Sequence, residues 1–570
     1  MELNSDNIAT LLYPVAAFYS PSIADSSEIS HKARSGQLEP TDWNVSTLNP
    51  KNCIDSLSEP ANAKWRIDGS ADMGTQYYTV PIFLPDLVAL RIDTFIPERK
   101  HVPVSFHSAL EIGPAFYTRD DRVARLGIAR YIVRVLDYWS RNIPDFEAFY
   151  NDLPFGSRIV LQNIETDIRL VRIQVLRTHF LERQPLSIGS LQAMWRLPSE
   201  SWPETTNISN VTLVQQLHDS VSLVRHADQI CIMKSLTSSP KYLYHELKVL
   251  LTMDAHPNVI SRPSQLVVKR CKFGGKLAVV GFILDYYPAG TLRDNLSFRR
   301  TSQSLKLQDQ MKWSIQVTEA MIHVQKNEIM YCDLRLDNMD LDNDENVILV
   351  DFEARGVGTF ISAPEITYLE YIHSLANETT ETLGEEDRER YKKLLKKSVD
   401  GQTRPKSTEM YNNPRHGYCA SWLCLSEEER EAAQVYMLGK VLWGIFEGVG
   451  SPEKGLLVSH LREDVLEYPG WRRTPEIIRE LIKSCCFSER RCERFPLVRE
   501  GQVLRLRDTD VTETVDKIQV ATVKWWRNEL RNAEDFIEKR RSGGSKARAS
   551  RPKLEDVLVQ LKSFMSFGSV

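Results

Sequence analysis

The run YCDLRLDNMDLDNDENVILVDFEARG, Tyr331 to Gly356, carries the densest set of chemically active side chains in the protein. A loop presents Asp333 and, five residues later, Asn338. Met339 and Leu341 then open a strand, Asn343, Asp344 and Glu345 turn the chain, and Val347 to Val350 return to deliver Asp351. Two carboxylates and one amide oxygen thus converge at the mouth of a single hairpin. Hard oxygen ligands of this kind suit Mg2+ together with phosphate, which completes a coordination shell that the protein leaves open. The plain alternative is an acidic surface hairpin, and the surrounding sequence decides between the two.

Upstream, ICIMK ends a buried strand at Lys234, and KYLYHELKVLLTMDAHPNVI sets Glu246 on an apolar-striped helix that stops at His256-Pro257-Asn258. LAVVGFIL, Leu277 to Leu284, reads as a buried strand and leads into the turn signal PAG. Downstream, Ser426 stands ahead of Glu427, Glu428 and Glu429, a capping-box start to a long helix.

In this order the segments resemble the protein kinase superfamily, whose catalytic loop reads HRDLKxxN and is followed by DFG. The resemblance covers about residues 208 to 564, most of the chain. It implies an α+β, bilobal protein-kinase-like fold: a small β-rich N-lobe over 208–287 and a large helical C-lobe over 288–565, with insertions at 366–425 and 495–550. It also implies roles. Asp333 is the catalytic base, Lys234, paired with Glu246, holds the ATP phosphates, and Asn338 and Asp351 hold Mg2+. Arg335, at the usual catalytic-loop lysine, supports the transferred charge. Leu223 lines the nucleotide slot, Leu284 is the gatekeeper, and backbone groups of Asp285 and Tyr287 face the adenine. Ala363-Pro364-Glu365 matches the family's APE, and the resemblance pairs Glu365 with Arg551 in a structural ion pair. HELKVLLTMDAHPNVISRP, KRCKFGGKLAVVGFIL and DFEARG followed by SAPE further resemble a fungal group of kinase-domain proteins, which suggests a fungal source and no substrate.

The departures from the family pattern are specific. Gln216, His218 and Val221 occupy the three glycine positions of the phosphate-covering loop, where side chains hinder backbone approach to phosphate. Cys231 and Ile232 stand at the adenine ceiling, Tyr331 and Cys332 replace the His and Arg of the catalytic loop, and Glu353 replaces the glycine of DFG. A carboxylate there either adds a metal ligand or raises the pKa of Asp351. Only fourteen positions separate Asp351 from Glu365, so the platform for a peptide substrate is short. Gln434 stands where the central helix usually supplies an aspartate.

The remainder is quieter. Residues 1–70 read as an irregular arm and 71–200 as a small mixed α/β N-terminal domain with an amphipathic helix from Arg122 to Trp139. RLPSESWPETTNISN, Arg196 to Asn210, marks the boundary. Both insertions contain charged runs that read as solvated helices, and adjacent Trp525 and Trp526 require at least one to meet another surface. EKRRSGGSKARASRPK, Glu538 to Lys553, is basic and reads as a flexible loop.

The 570 residues carry a net charge of −4, which offers no global basic field for nucleic acid. Nine scattered cysteines without a CxxC pair indicate reduced thiols, and no apolar run approaches the ~18 residues that a membrane span needs. Together these suit a cytoplasmic or nuclear protein without membrane or specific nucleic-acid partners. The function expected from the resemblance is ATP- and Mg2+-dependent phosphoryl transfer, to a serine/threonine or an atypical acceptor, protein or small molecule. The alternatives are a non-catalytic pseudokinase acting as scaffold or regulator, and a kinase fold recruited to small-molecule chemistry in fungal specialised metabolism.

Overall fold

A computed structural model describes residues 11–19, 64–71, 75–97, 121–165, 167–178, 181–237, 239–271, 274–355, 361–379, 382–398, 418–452, 466–487, 494–500, 503–507, 514–541 and 551–567. It has the bilobal α+β architecture of a kinase-like fold. The N-lobe is a six-stranded sheet in the order Glu204–Asn207, Gln265–Arg270, Leu277–Leu284, Gln229–Ser235, Val221–His226 and Thr212–Gln216. Only the first pairing is parallel. LAVVGFIL is apolar throughout because both faces of the sheet are covered. Val279, Phe282 and Leu284 enter the core that includes the Lys241–Thr252 helix, while Val280 and Ile283 enter a second core on the opposite face.

That second core is shared with the N-terminal module. Trp65–Ala71, Gln76–Pro81, Asp93–Phe95, Arg158–Leu161 and Ile173–Leu176 form a five-stranded sheet in chain order. Asp93–Phe95 runs parallel to Arg158–Leu161, and the Asp121–Arg141 helix lies in the connection between them. Tyr131, Ile132, Val135 and Leu136 of this helix pack with Val224, Met233 and Val267 of the N-lobe. The backbone joins the two sheets as well, since Leu213 N–H donates to Leu87 O at 2.7 Å. The chain leaves the module before residue 200. Leu191 and Trp195, on the Ile188–Trp195 helix, belong to the main core, and Val279 N–H donates to Leu186 O at 2.8 Å.

In the C-lobe the Glu427–Glu447 helix opens with the capping box of Ser426 and Glu429 and ends at Gly448 in the left-handed region, φ 70°. Gly444 lets this helix approach the Asp333–Asn338 loop: a Cβ there would lie 2.9 Å from Leu336 and 2.8 Å from Val449 O. The insertion helices are not solvated rods. Trp526, Leu530, Ala533 and Ile537 of the Val515–Arg541 helix form a buried stripe in the main core, and Tyr391 of the Glu385–Ser398 helix is buried with Leu394. Polar residues around each stripe masked it in the sequence.

Part of the expected arm is ordered. Pro14–Phe18 forms a short 3-10 helix against the Val515–Arg541 helix, where Trp526 Nε1 donates to Leu11 O at 2.7 Å and Arg527 Nε donates to Ala17 O at 2.9 Å. The arm from 20 to 63, residues 356–360, insertion residues 399–417 and the basic stretch from 542 to 550 lie outside the described residues. The cysteines among the described residues are free thiols, and no described helix is long and apolar enough to cross a membrane.

Candidate active site

The loop that carries Asp333 is anchored by Leu334 and Leu336, both buried. Asn338 closes it, its Nδ2 donating to Asp333 O at 2.9 Å while its own carbonyl accepts from Val350 N–H at 3.0 Å. The Met339–Leu341/Val347–Leu349 hairpin pairs Met339 with Leu349, and Asp342 caps its turn by accepting from the N–H groups of Asp344 and Asn346. This brace delivers Asp351 in the left-handed region, φ 66°. Tyr331 ties the loop to the same strand. Its hydroxyl donates to Val350 O and its ring meets Phe352 edge-on at 5.0 Å.

Burial pushes the Asp333 carboxyl up to about 6, although Arg335 Nε, 3.4 Å from Oδ2, opposes that rise. Its Oδ1 is enclosed and has no hydrogen-bond partner among the described residues. An acceptor hydroxyl would satisfy that oxygen, and a group with a pKa near 6 is a competent base at neutral pH.

Lys234 is the hub of the second cluster. Its Nζ lies 2.8 Å from Asp351 Oδ1, 2.9 Å from Glu353 Oε1 and 3.2 Å from Glu246 Oε2. Burial alone would discharge the amine, but the three carboxylates outweigh it and hold the ammonium. Burial likewise pushes Glu246 up to about 7, while Lys234 overrides burial at Asp351 and keeps it below the ordinary carboxylate range. Glu246 Oε1 also accepts Phe352 N–H at 3.1 Å, which locks the Lys241–Thr252 helix onto the Asp351-Phe352 turn.

The carboxylate oxygens of Glu246, Asp351 and Glu353 lie within 4.8 Å of one another. The Lys234 ammonium already sits among them, so their convergence alone does not require a metal. Three carboxylates around one ammonium still leave negative charge beside Asn338 and Asp333. That donor set fits a hard divalent cation bridging to phosphate.

The hairpin expected to cover phosphate, between Thr212–Gln216 and Val221–His226, is closed by side chains. Gln216 Nε2 donates to His218 O and to Val221 O, the latter at 3.0 Å, and Gln216 Oε1 accepts from Ser222 Oγ at 2.7 Å. His218 stays exposed at the hairpin tip, and partial desolvation of its ring lowers its pKa. From the module, Asp68 Oδ2 accepts Gln216 N–H at 2.7 Å and Arg91 donates to Asp219 O.

The residues expected to face the adenine are Leu223, Asp285 and Tyr287. Leu223 is half-buried and pairs with Ile232 across the sheet. Asp285 is exposed and accepts from Ser261 Oγ at 2.6 Å. Tyr287 is half-buried, with its hydroxyl pKa pushed up to about 12 by burial. Arg551 grips Glu365 with both guanidinium nitrogens, one at 3.3 Å, donates to Ala432 O at 2.9 Å and stacks over Tyr436. Sequence reasoning missed Arg355, which ion-pairs with Glu353 and lies 3.4 Å from Asp219. Its place two residues after Glu353 was the only available signal.

Residues 222–357 match the family described as protein tyrosine and serine/threonine kinase. The serine/threonine-protein kinase VHS1 of Saccharomyces cerevisiae is 26% identical over 121 residues, which is 21% of this chain and 23% of that protein. The similarity therefore spans less than a quarter of the relative's length.

Proposed function

This chain belongs to the protein kinase superfamily, and on that premise we propose that it is an ATP- and Mg2+-dependent phosphotransferase. The observation that carries the reading is the Lys234 hub, with Glu246 at 3.2 Å and Asp351 at 2.8 Å, placed next to a loop holding Asp333 and Asn338. Mg2+-ATP, when bound, supplies the phosphoryl group and neutralises part of its charge. Lys234 orients the phosphates, held by Glu246. Asn338 and Asp351 are the residues that would hold the metal. Asp333 accepts the proton of the acceptor hydroxyl, and Arg335 faces the charge that develops there. The acceptor is a serine or threonine side chain, as the name of the yeast relative suggests, or a small molecule, which the fourteen-position spacing from Asp351 to Glu365 favours.

A second reading, a non-catalytic kinase-fold regulator, is favoured by two features. The Gln216 side chain closes the hairpin that should cover phosphate, and Glu353 occupies Lys234. A nucleotide thermal shift separates the two readings. Saturable stabilisation by millimolar ATP that requires Mg2+ supports phosphotransfer, and its absence from folded protein refutes it. Given binding, Asp333→Ala is expected to abolish turnover while preserving the shift.

A further inference from the structure

A cavity of about 370 Å3 lies between the N-terminal module, the hairpin tip and the segment after Asp351. Three guanidinium groups, those of Arg91, Arg158 and Arg355, line it together with the carboxylates of Asp93 and Asp219. Two of the three arginines are incompletely satisfied. Arg91 has a side chain only 1% exposed, yet its Nε has no hydrogen-bond partner among the described residues, and its backbone takes the left-handed region, φ 55°. Its carboxylate contacts are long, 3.3 Å to Asp93 and 3.5 Å to Asp219, beyond the 2.7–2.9 Å usual for charge-assisted bonds. The Arg158 guanidinium lies over the Phe95 ring at 4.9 Å and donates no hydrogen bond to a described residue.

The carboxylates do not need these arginines equally. Asp93 Oδ2 already accepts from Gln76 Nε2 at 2.8 Å. Asp219 is the loose member. Its carboxylate is shared between Arg91 at 3.5 Å and Arg355 at 3.4 Å, and its side chain is 31% exposed at the tip of a hairpin. A buried guanidinium with open donors in a polar cavity is the donor half of an anion site, and the planar fork of arginine matches phosphate or carboxylate oxygens.

We propose that this cavity binds a small polyanion bearing phosphate or carboxylate groups, which takes the open donors of Arg91 and Arg158 and displaces the Asp219 carboxylate from Arg91 and Arg355. The site is separate from the Lys234 hub and does not depend on phosphotransfer. It is linked to that hub, because Arg355 also pairs with Glu353, which in turn contacts Lys234 at 2.9 Å. Anion binding would therefore loosen the hairpin tip and change how firmly Glu353 holds Lys234.

The test uses the full chain without nucleotide, titrated calorimetrically with pyrophosphate and with citrate, to separate phosphate from carboxylate recognition. Saturable binding of at least one at millimolar concentration is expected, weakened about tenfold or more by Arg158→Gln and by Arg91→Gln. It should survive Lys234→Met, which disables the nucleotide site, so a failure of the phosphotransferase reading and a failure of this one are distinguishable. The Arg158 guanidinium makes no hydrogen bond or ion pair to a described residue, so Arg158→Gln carries the test if Arg91→Gln does not fold. No binding of either anion by the folded wild type overturns the proposal. So does binding that Arg158→Gln leaves intact, or binding that Lys234→Met abolishes.

Discussion

Glu353 Oε1 stands 2.9 Å from Lys234 Nζ, so the ammonium that the proposed function assigns to phosphate is already contacted by a carboxylate that a glycine in its place would not supply. Both side chains are about 5% exposed, which leaves water little part in screening the pair. A phosphate approaching Lys234 must compete with Glu353 or coexist with its charge.

Glu353→Gln is therefore expected to tighten ATP binding about tenfold, about 1.4 kcal/mol, by removing that competitor. Titration calorimetry with Mg2+-ATP measures it. An unchanged or weaker affinity would mean that Glu353 serves the nucleotide instead of opposing it.

Asp333 makes a prediction about pH. Its folded-state pKa, raised to about 6 from 3.8, means that the folded protein binds more protons than the unfolded chain between those values. Stability should fall as pH rises through that window, by about 2–3 kcal/mol for a shift of this size. Asp333→Asn removes the buried charge, so at pH 7.5 it should stabilise the protein by a similar amount while abolishing phosphotransfer. Denaturant unfolding at pH 7.5 and at pH 4 checks this, and the gain should vanish at the lower value.

The Glu365 pair is expected to be structural. Arg551 is almost fully buried, and Glu365→Ala leaves its guanidinium with two backbone carbonyls, Ala432 O and Phe487 O, and the Tyr436 ring, but no counter-charge. Breaking such a pair from one side costs about 3–5 kcal/mol. A shift in the denaturation midpoint of the full chain measures it, and a change below about 1 kcal/mol would show that the pair is dispensable.

Trp526 joins the N-terminal segment to the C-lobe. Trp526→Ala removes a large buried side chain and should cost about 3–5 kcal/mol. Deleting residues 1–19 instead leaves the indole N–H without Leu11 O, and a red shift of tryptophan emission with a lower Tm is expected. Unchanged emission would show that this segment does not cover the ring in solution.

Much of the polar site could be read from the chain because short spacings encode it. Asp333, Asn338 and Asp351 occupy one hairpin, and the Ser426–Glu429 cap is a local pattern. Lys234 and Glu246 required the family resemblance to be paired, and the structure brings them within 3.2 Å. Arg91 and Asp219 are 128 residues apart and have no periodicity in common, so nothing local announces their contact. The same holds for the Trp526 contact to Leu11, made across 515 residues. The insertion helices misled for another reason. Their charged residues outnumber the buried stripe, and average polarity hides one apolar face.

The shared core on the outer face of the N-lobe has a practical consequence. Val224, Met233, Val267, Val280 and Ile283 are covered by the N-terminal module. A recombinant fragment begun near residue 208, at the customary edge of such a catalytic unit, would present these side chains to water as a contiguous greasy patch. That fragment should aggregate or recruit chaperones, and inactivity measured on it would report a damaged surface and not the chemistry of Lys234 and Asp333.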